Sequence, residues 1–475
     1  MTHTHADRLA PARSPGRLDT LALVVLALAQ AMLVLDVTVV NVALPVMSAE
    51  LGLATELAGW AVAAYAVPFG GLLLLGGRLA DVAGTRRMLL AGLLLFTIAS
   101  LAVGLATSAE WFLAARALQG AGAALLSPAA LAALLHRFQA GARHRALAVW
   151  GAVGGGGAAL GVLLGGLLTG GPGWRWIFFV NVPIGILVAA GVVVFAVAPR
   201  VTPRRERVDL AGALLATAGL GSLVAALSAT ATGEPLLSAG LAAVGIALLA
   251  AFVAVGIALR AAFVAVERRS AQPLVRLGLI RSRSVATGSL LMLVATGLLV
   301  GALFMFSFEL QAESGWSPIA TGLAFLPISV AIVAGSHTAG RLVGRLGPRI
   351  VGSVALLVAA IGLGVAATAI TVGWPEAIAI VGVALTALGL GAALVCASTT
   401  ALGGVEQDEA GAASGVLNSF HELGSAAGVA GLGAIAAAGI GIGFQAAAGA
   451  AAVAALLAMA LIAPGAPRTT GRFVH

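Results

Sequence analysis

Apolar runs of roughly 20 residues, the length a helix needs to cross the hydrocarbon of a bilayer, recur fourteen times along this chain. Their approximate limits are Thr20 to Leu44, Leu57 to Gly77, Met88 to Thr107, Phe112 to Leu135, Ala146 to Thr169, Ile177 to Val197 and Leu210 to Ala229. The series continues with Leu236 to Leu259, Val285 to Leu310, Ile319 to Gly340, Ile350 to Thr371, Ala377 to Ala397, Ala412 to Ile435 and Ile440 to Ile462. A soluble fold cannot house them, because 9% of the residues are charged against about 25% in an ordinary soluble protein. A chain this apolar is not disordered either. The expected fold class is an all-α integral membrane protein.

All 26 basic residues are Arg, and their placement orients the chain, since short cytoplasmic loops hold the excess of basic residues. With the N-terminus inside, 24 of them fall in cytoplasmic segments; Arg175 alone falls outside, and Arg116 lies within the fourth run. The outer loops carry Glu50, Glu56, Glu110, Glu234, Glu313 and Glu376 instead. Both termini are therefore expected on the cytoplasmic side of the membrane. The first run follows an Arg-bearing leader without a small-residue cleavage site, so it is expected to stay as an anchor. The net charge of +8 does not point to nucleic acid, because the Arg residues sit in short clusters between apolar runs. Cys396, the single Cys, lies inside such a run, which excludes an intrachain disulfide.

Gly77-Arg78-Leu79 followed by Gly84 and Arg86 recurs as Gly340-Arg341-Leu342 followed by Gly347 and Arg349. Both copies follow an apolar run that exits on the same side, which implies a parallel duplication about an axis normal to the membrane. The layout expected from it is six helices, two inserted helices and six more. Residues 1–19 and 463–475 then form cytoplasmic tails, 20–197 and 285–462 the two bundles, and 198–284 the inserted pair with its cytoplasmic linker. A shorter repeat, AAFVAV at Ala250 to Val255 and again at Ala261 to Val266, has an offset of eleven residues. That is close to three helical turns and would lengthen the eighth helix without rotating its face.

LDVTVVNVALP, Leu35 to Pro45, puts Asp36 in hydrocarbon, with Asn41 five residues on. A central charge there costs about 2.5 to 3.5 kcal/mol on insertion scales, so such a residue normally faces the bundle interior and serves ions or substrate. A neutral Asp36 hydrogen-bonded for packing is the alternative. Arg116, in LAARALQGAGAA from Leu113 to Ala124, is the other buried charge of this half. Both lie in the outer half of the membrane, within reach of each other. A guanidinium nearby and the loss of water act in opposite senses on a carboxyl, so its protonation can switch with solvent access. A permanent structural ion pair is the competing reading. In the other half, SGVLNSFHELGSAAGVAG, Ser414 to Gly431, places His421 and Glu422 near mid-span. Glu422 is a second candidate proton or cation site, and Glu309, near the outer end of the ninth run, a weaker one.

Three further strings carry conformational rather than ionic signals. In GGRLADVAGTRR, Gly76 to Arg87, residues Gly77 and Gly84 permit a tight turn, while Asp81 can complement a helix N-terminus or a neighbouring Arg such as Arg86 or Arg87. Gly157, Gly161, Gly165 and the adjacent Gly166 form a small-residue ridge for a close helix contact. In GWRWIFFVNVPIG, Gly173 to Gly185, Trp174 and Trp176 suit the outer interface, which explains the pair but not the whole string.

Together these strings, with PLVRLGLIRSRS before the ninth run, resemble the fourteen-helix drug:proton antiporter branch of the major facilitator superfamily over essentially Asp19 to Ile462. The resemblance implies two six-helix bundles around a central cavity, rocking between inward-open and outward-open states. It implies that Asp36 matches the acid of proton coupling and cation recognition, Arg116 the Arg associated with proton transfer, and Asp81, Arg86 and Arg87 the loop motif that stabilises the outward-open state. Two positions depart from the family pattern. Val162 stands where the fifth-helix antiporter motif usually has Pro, and Val82 where a basic residue is common.

The expected function is export of a lipophilic small molecule, a drug or antibiotic, in exchange for protons by alternating access. No enzyme activity, cofactor, metal or nucleic-acid partner is expected. The partners are the substrate, protons and membrane lipids, and the chain is expected to act as a monomer. A dedicated exporter of one metabolite is the first rival, and a non-transporting sensor or an intramembrane enzyme on a transporter fold the second.

Overall fold

The computed structural model describes residues 17–53, 58–138, 140–195, 210–231, 234–267, 282–405 and 410–462. Most of both expected tails, Glu56 and nearly all of PLVRLGLIRSRS lie outside them. Every described element is helical: α1 (Arg17–Leu51), α2 (Trp60–Ala83), α3 (Thr85–Gly104), α4 (Ala109–Arg137), α5 (Ala140–Gly170) and α6 (Trp176–Phe195). Then follow α7 (Leu210–Ala231), α8 (Pro235–Glu267), α9 (Arg283–Phe308), α10 (Pro318–Val372), α11 (Glu376–Leu402), α12 (Ala410–Ala436) and α13 (Ile440–Leu461). A π-turn, Glu309–Glu313, ends α9. Among the described residues, eleven helices are long and apolar enough to cross a membrane, counting the 55-residue α10 once. α8 runs unbroken through both AAFVAV copies.

The Gly-Arg-Leu repeat has a conformational counterpart. Gly84 separates α2 from α3 at φ 98°, ψ 132°, and Gly347 breaks α10 at φ 78°, ψ 158°. These are backbone conformations that side chains with a Cβ rarely adopt. α10 is thus two helical arms, 318–346 and 348–372, that answer to α2 and α3.

Helices α1 to α6 pack mainly among themselves, as do α9 to α13. The end where α1 passes to α2 is here the upper end, and the end where α2 passes to α3 the lower. Two seams join the halves. α5 crosses α10 near the upper end, where Gly166 lies against the Pro318 carbonyl and the Gly322 Cα. α2 crosses α12, with Gly59 against Val429 and Gly70 against Glu422 and Ser419. α7 leans on this second seam through an apolar cluster of Ala63, Ala66, Val67, Val224, Ala426 and Ala430. α8 in turn packs on α7, Gly245 facing Gly219. Helix contacts in lipid depend on such small residues because van der Waals packing, not water, drives them.

Candidate functional site

On α1 the buried residues Ala29, Leu33, Asp36 and Val40 recur at helical spacing, so Asp36 belongs to the face turned into the bundle. On α4 the same logic groups Arg116, Gln119, Gly120 and Ala123, and on the α6 segment Trp174, Phe178 and Asn181. Asp36 and Arg116 are 2% and 1% exposed, and Arg116 Nη1 stands 2.6 Å from Asp36 Oδ2.

That pair is the centre of a closed polar network. Arg116 Nη1 also donates to Gln119 Oε1 at 2.7 Å, and because a guanidinium has no acceptor, this fixes the orientation of the Gln119 amide. Gln119 Nε2 then donates to Asp36 Oδ1 at 2.7 Å and to Ser100 Oγ at 2.8 Å. Asn181 Nδ2 donates to the same Asp36 Oδ1 at 3.1 Å and to Ser100 Oγ at 3.4 Å. Arg116 Nε donates to the Ala61 carbonyl at 3.3 Å, and its guanidinium lies 4.4 Å from the Tyr65 ring centroid and 5.7 Å from that of Phe178. Four helices and the start of α6 thus contribute to one charge pair. Burial without partners would cost several kcal/mol per ion; here hydrogen bonds and ring faces offset it.

Of the other residues singled out from sequence, Asn41 does not join this network. It donates to the Val37 carbonyl of its own helix at 3.3 Å, and its Oδ1 is buried without a partner. Glu422 is buried on the second seam, its Cβ against Gly70 of α2, and it has no hydrogen bond or ion pair among the described residues. The neighbouring His421 turns to α9, its Nδ1 3.1 Å from Thr296 Oγ1. Glu309 opens the π-turn at the upper end, apart from both.

In the lower loop Asp81 and Arg87 are exposed, Gly77 is half-buried, and Arg86 Nη2 donates to the Val193 carbonyl of α6 at 2.8 Å. The ridge of α5 divides its contacts: Gly157, Gly161 and Gly165 lie against α1 at Val34, Thr38 and Val39, and Gly166 against α10. α5 continues as a helix through Val162, which retains the backbone N–H that Pro would lack. At the upper end Glu50 Oε2 accepts from Trp174 Nε1 at 2.8 Å and from Arg175 Nη1 at 2.7 Å.

Gln119, Asn181, Ser100 and Tyr65 were not assigned from sequence. Gln119 carried a signal, three residues after Arg116 on one helix face, and Asn181 sits in the string that the aromatic pair left unexplained. Ser100, a lone hydroxyl in an apolar run, carried none.

The family model described as Major Facilitator Superfamily matches residues 26–429. A puromycin resistance protein of Streptomyces alboniger is 41% identical over 416 residues, 86% of this chain and 80% of that protein. A cephamycin export protein of Amycolatopsis lactamdurans is 38% identical over 427 residues, covering 86% of this chain and 84% of its own. Among solved structures, a D-xylose-proton symporter aligns over 94% of this chain and 98% of its own with a TM-score of 0.67 at 15% identity. That last likeness concerns the fold alone.

Proposed function

The chain belongs to the Major Facilitator Superfamily, and from that premise we propose that it exports lipophilic small molecules, antibiotics among them, in exchange for protons. The observation that carries the reading is the buried Asp36–Arg116 pair. A carboxylate held in a membrane interior by a guanidinium and two amides is a site for one proton, and an expense that intramembrane acids incur for function. The relatives add direction, one being named for resistance and the other for export.

In this reading fourteen helices span the membrane, the two arms of α10 counting separately. Residues 20–197 and 285–462 are the two six-helix units and 198–284 the inserted pair. The Arg-rich lower end faces the cytoplasm, with both termini, and one chain is the working unit. Opening of the upper end lets Asp36 take up a proton and substrate leave. Opening of the lower end reverses both steps. Glu422, on the seam between the halves, is the second acid of this cycle. Substrate and proton each bias the two states only through their different affinities for them.

The test is proton movement in inside-out vesicles energised by respiration, with a panel of lipophilic cations and neutral antibiotics. Substrate-dependent collapse of the pH gradient, lost in Asp36→Asn, is the expected result. Unchanged exchange in Asp36→Asn would move the proton site to Glu422. A dedicated exporter of one metabolite is the second reading, favoured because both relatives are named for a single antibiotic. It is the better one when a single compound of the panel moves protons.

A further inference from the structure

The face of α1 opposite Asp36 carries polar atoms that the charge network does not use. Asn41 and Val42 lie about 140° and about 120° round the helix from Asp36, one to each side, so the strip between them turns away from α3, α4 and α6. Gln311 reaches α1 there from the other half of the molecule. Its Nε2 donates to the Val42 carbonyl at 2.8 Å and to Ser307 Oγ, one turn back on α9, at 3.1 Å. The π-turn that ends α9 presents this side chain, and Ser314 N closes the turn on Glu309 O at 2.9 Å. Such turns interrupt helices frequently at functional sites. Farther up, Trp174 and Arg175 clasp Glu50, so the upper part of α1 is tied to the α6 segment as well as to the end of α9.

Asn41 and Gln311 both spend their amide nitrogens on backbone carbonyls and leave their oxygens bare. Asn41 is 3% exposed and donates from Nδ2 to the Val37 carbonyl at 3.3 Å, while its Oδ1 is buried without a partner among the described residues. Gln311 Oε1 is likewise buried without one. A carbonyl only accepts, so neither amide can turn round to satisfy its oxygen without losing the bond its nitrogen makes. Gln30 and Ser48, eleven residues before Asn41 and seven after it, fall within about 20° of it on the helix. Gln30 Oε1 and Ser48 Oγ are buried and unpartnered as well. Folded proteins leave few buried polar atoms unsatisfied, and each one calls for a reason. In a membrane interior the cost is larger, because no water is at hand.

We propose that Asn41 and Gln311 form a subsite for the hydrogen-bond donors of the exported molecule, hydroxyl or N–H groups, where α1 meets the end of α9. The two oxygens belong to different halves, so parting of the halves breaks the Gln311–Val42 bond and uncovers both. Each nitrogen keeps a partner on its own helix, the Val37 carbonyl or Ser307 Oγ, so the subsite offers acceptors. It therefore favours lipophilic molecules bearing hydroxyl, amine or amide N–H groups over donor-free molecules of the same charge and similar size. Asp36 is left to its guanidinium. The inference rests on the chain being an exporter of lipophilic small molecules, and it names which of them this contact selects.

The experiment measures equilibrium binding of two fluorescent rhodamine ethyl esters to the full chain in lipid nanodiscs, without a pH gradient. Rhodamine 6G carries two secondary amines; tetramethylrhodamine ethyl ester has the same charge and a similar frame but no N–H. The unaltered protein is expected to bind rhodamine 6G about tenfold more tightly, the worth of a net hydrogen bond. Equal affinities, or no binding of either ester, overturn the proposal. In Asn41→Leu and in Gln311→Leu the ratio is expected to fall towards one, and Asn41→Ala and Gln311→Ala, which add no bulk, replace a Leu variant that binds neither ester. Asn41→Asp and Gln311→Glu keep an acceptor oxygen and are expected to keep the preference. A preference retained without either oxygen overturns the proposal. So does one lost in the apolar and the acidic variants alike, because the ratio would then follow packing and not the oxygens. Two ligands read on one preparation separate recognition from loss of folded protein. Since binding needs no gradient, a failure of proton exchange in vesicles leaves this result standing, and a failure here leaves antiport standing.

Discussion

Gly84 and Gly347 hold the same place in the two halves: each lies seven residues after the Gly of a Gly-Arg-Leu, and each leaves the helical region at positive φ, 98° and 78°. At Gly84 the chain turns from α2 into α3, and at Gly347 from the first arm of α10 into the second. A seven-residue spacing alone would not show that these are corners. The shared backbone conformation does, and it identifies the repeat as one turn made twice.

Replacing either corner by Ala is expected to destabilise the protein by about 1 to 3 kcal/mol, the strain of holding a Cβ-bearing residue in this region. Space is not the issue, because nothing lies within 4 Å of where a Cβ would stand at Gly84. Thermal unfolding of purified Gly84→Ala and Gly347→Ala in detergent reads this. The neighbouring Gly344, also without a close neighbour and helical, is the control: Gly344→Ala should be neutral or stabilising. Equal melting temperatures for Gly347→Ala and Gly344→Ala would show that the break does not depend on Gly.

Arg116→Ala should cost about 3 to 5 kcal/mol, because it strands the Asp36 carboxylate among amides in a water-poor interior. Arg116→Ala combined with Asp36→Leu removes both charges and should recover a large part of that loss. The recovery, not the single loss, is the diagnostic quantity, and a double-mutant cycle measures it as coupling of about 0.5 to 3 kcal/mol. Strict additivity would mean that the two side chains do not interact in the folded protein. Neither variant should exchange protons for substrate.

The seams, the helix count and the charge pair were legible to different degrees, for physical reasons. Asp36 and Arg116 stood out because a charge in an apolar run is expensive wherever it points. Their partners did not, because Ser, Asn and Gln are inexpensive enough in helices to need no explanation. Asn41 illustrates the converse: it lies near Asp36 in sequence, but a five-residue offset turns it through about 140° on a helix, and it bonds its own Val37 carbonyl instead. Glycine spacing on α5 announced a close contact without naming what it touches. Which helix a ridge meets depends on the long-range arrangement, and here the ridge meets two.

On that ridge Gly161 faces the Thr38 hydroxyl so closely that a Cβ would overlap it. Thr38 Oγ1 is itself held by the Val34 carbonyl at 2.9 Å and the Leu35 carbonyl at 3.2 Å, so it does not move freely. Gly161→Ala is therefore expected to cost about 1 to 3 kcal/mol through overpacking, and to reduce exchange by displacing α1 near Asp36. Thr38→Ala in the same chain should restore part of both. A double variant no better than Gly161→Ala would place the conflict elsewhere.

The Glu50 clasp separates two contributions of Trp174, which is 1% exposed although its acceptor carboxylate is about half exposed. Trp174→Phe keeps an aromatic ring near Phe112 and Phe178, which meet the indole edge to face at 5.9 Å and 6.1 Å, and removes only the Nε1 donor. Its cost should be about 1 kcal/mol, the net worth of one hydrogen bond whose acceptor is also solvated. Trp174→Ala also empties the space between the rings and should cost about 3 to 5 kcal/mol. The two losses are compared by chemical unfolding in one detergent. If Trp174→Phe were as damaging as Trp174→Ala, the indole N–H and not the ring would hold the upper end.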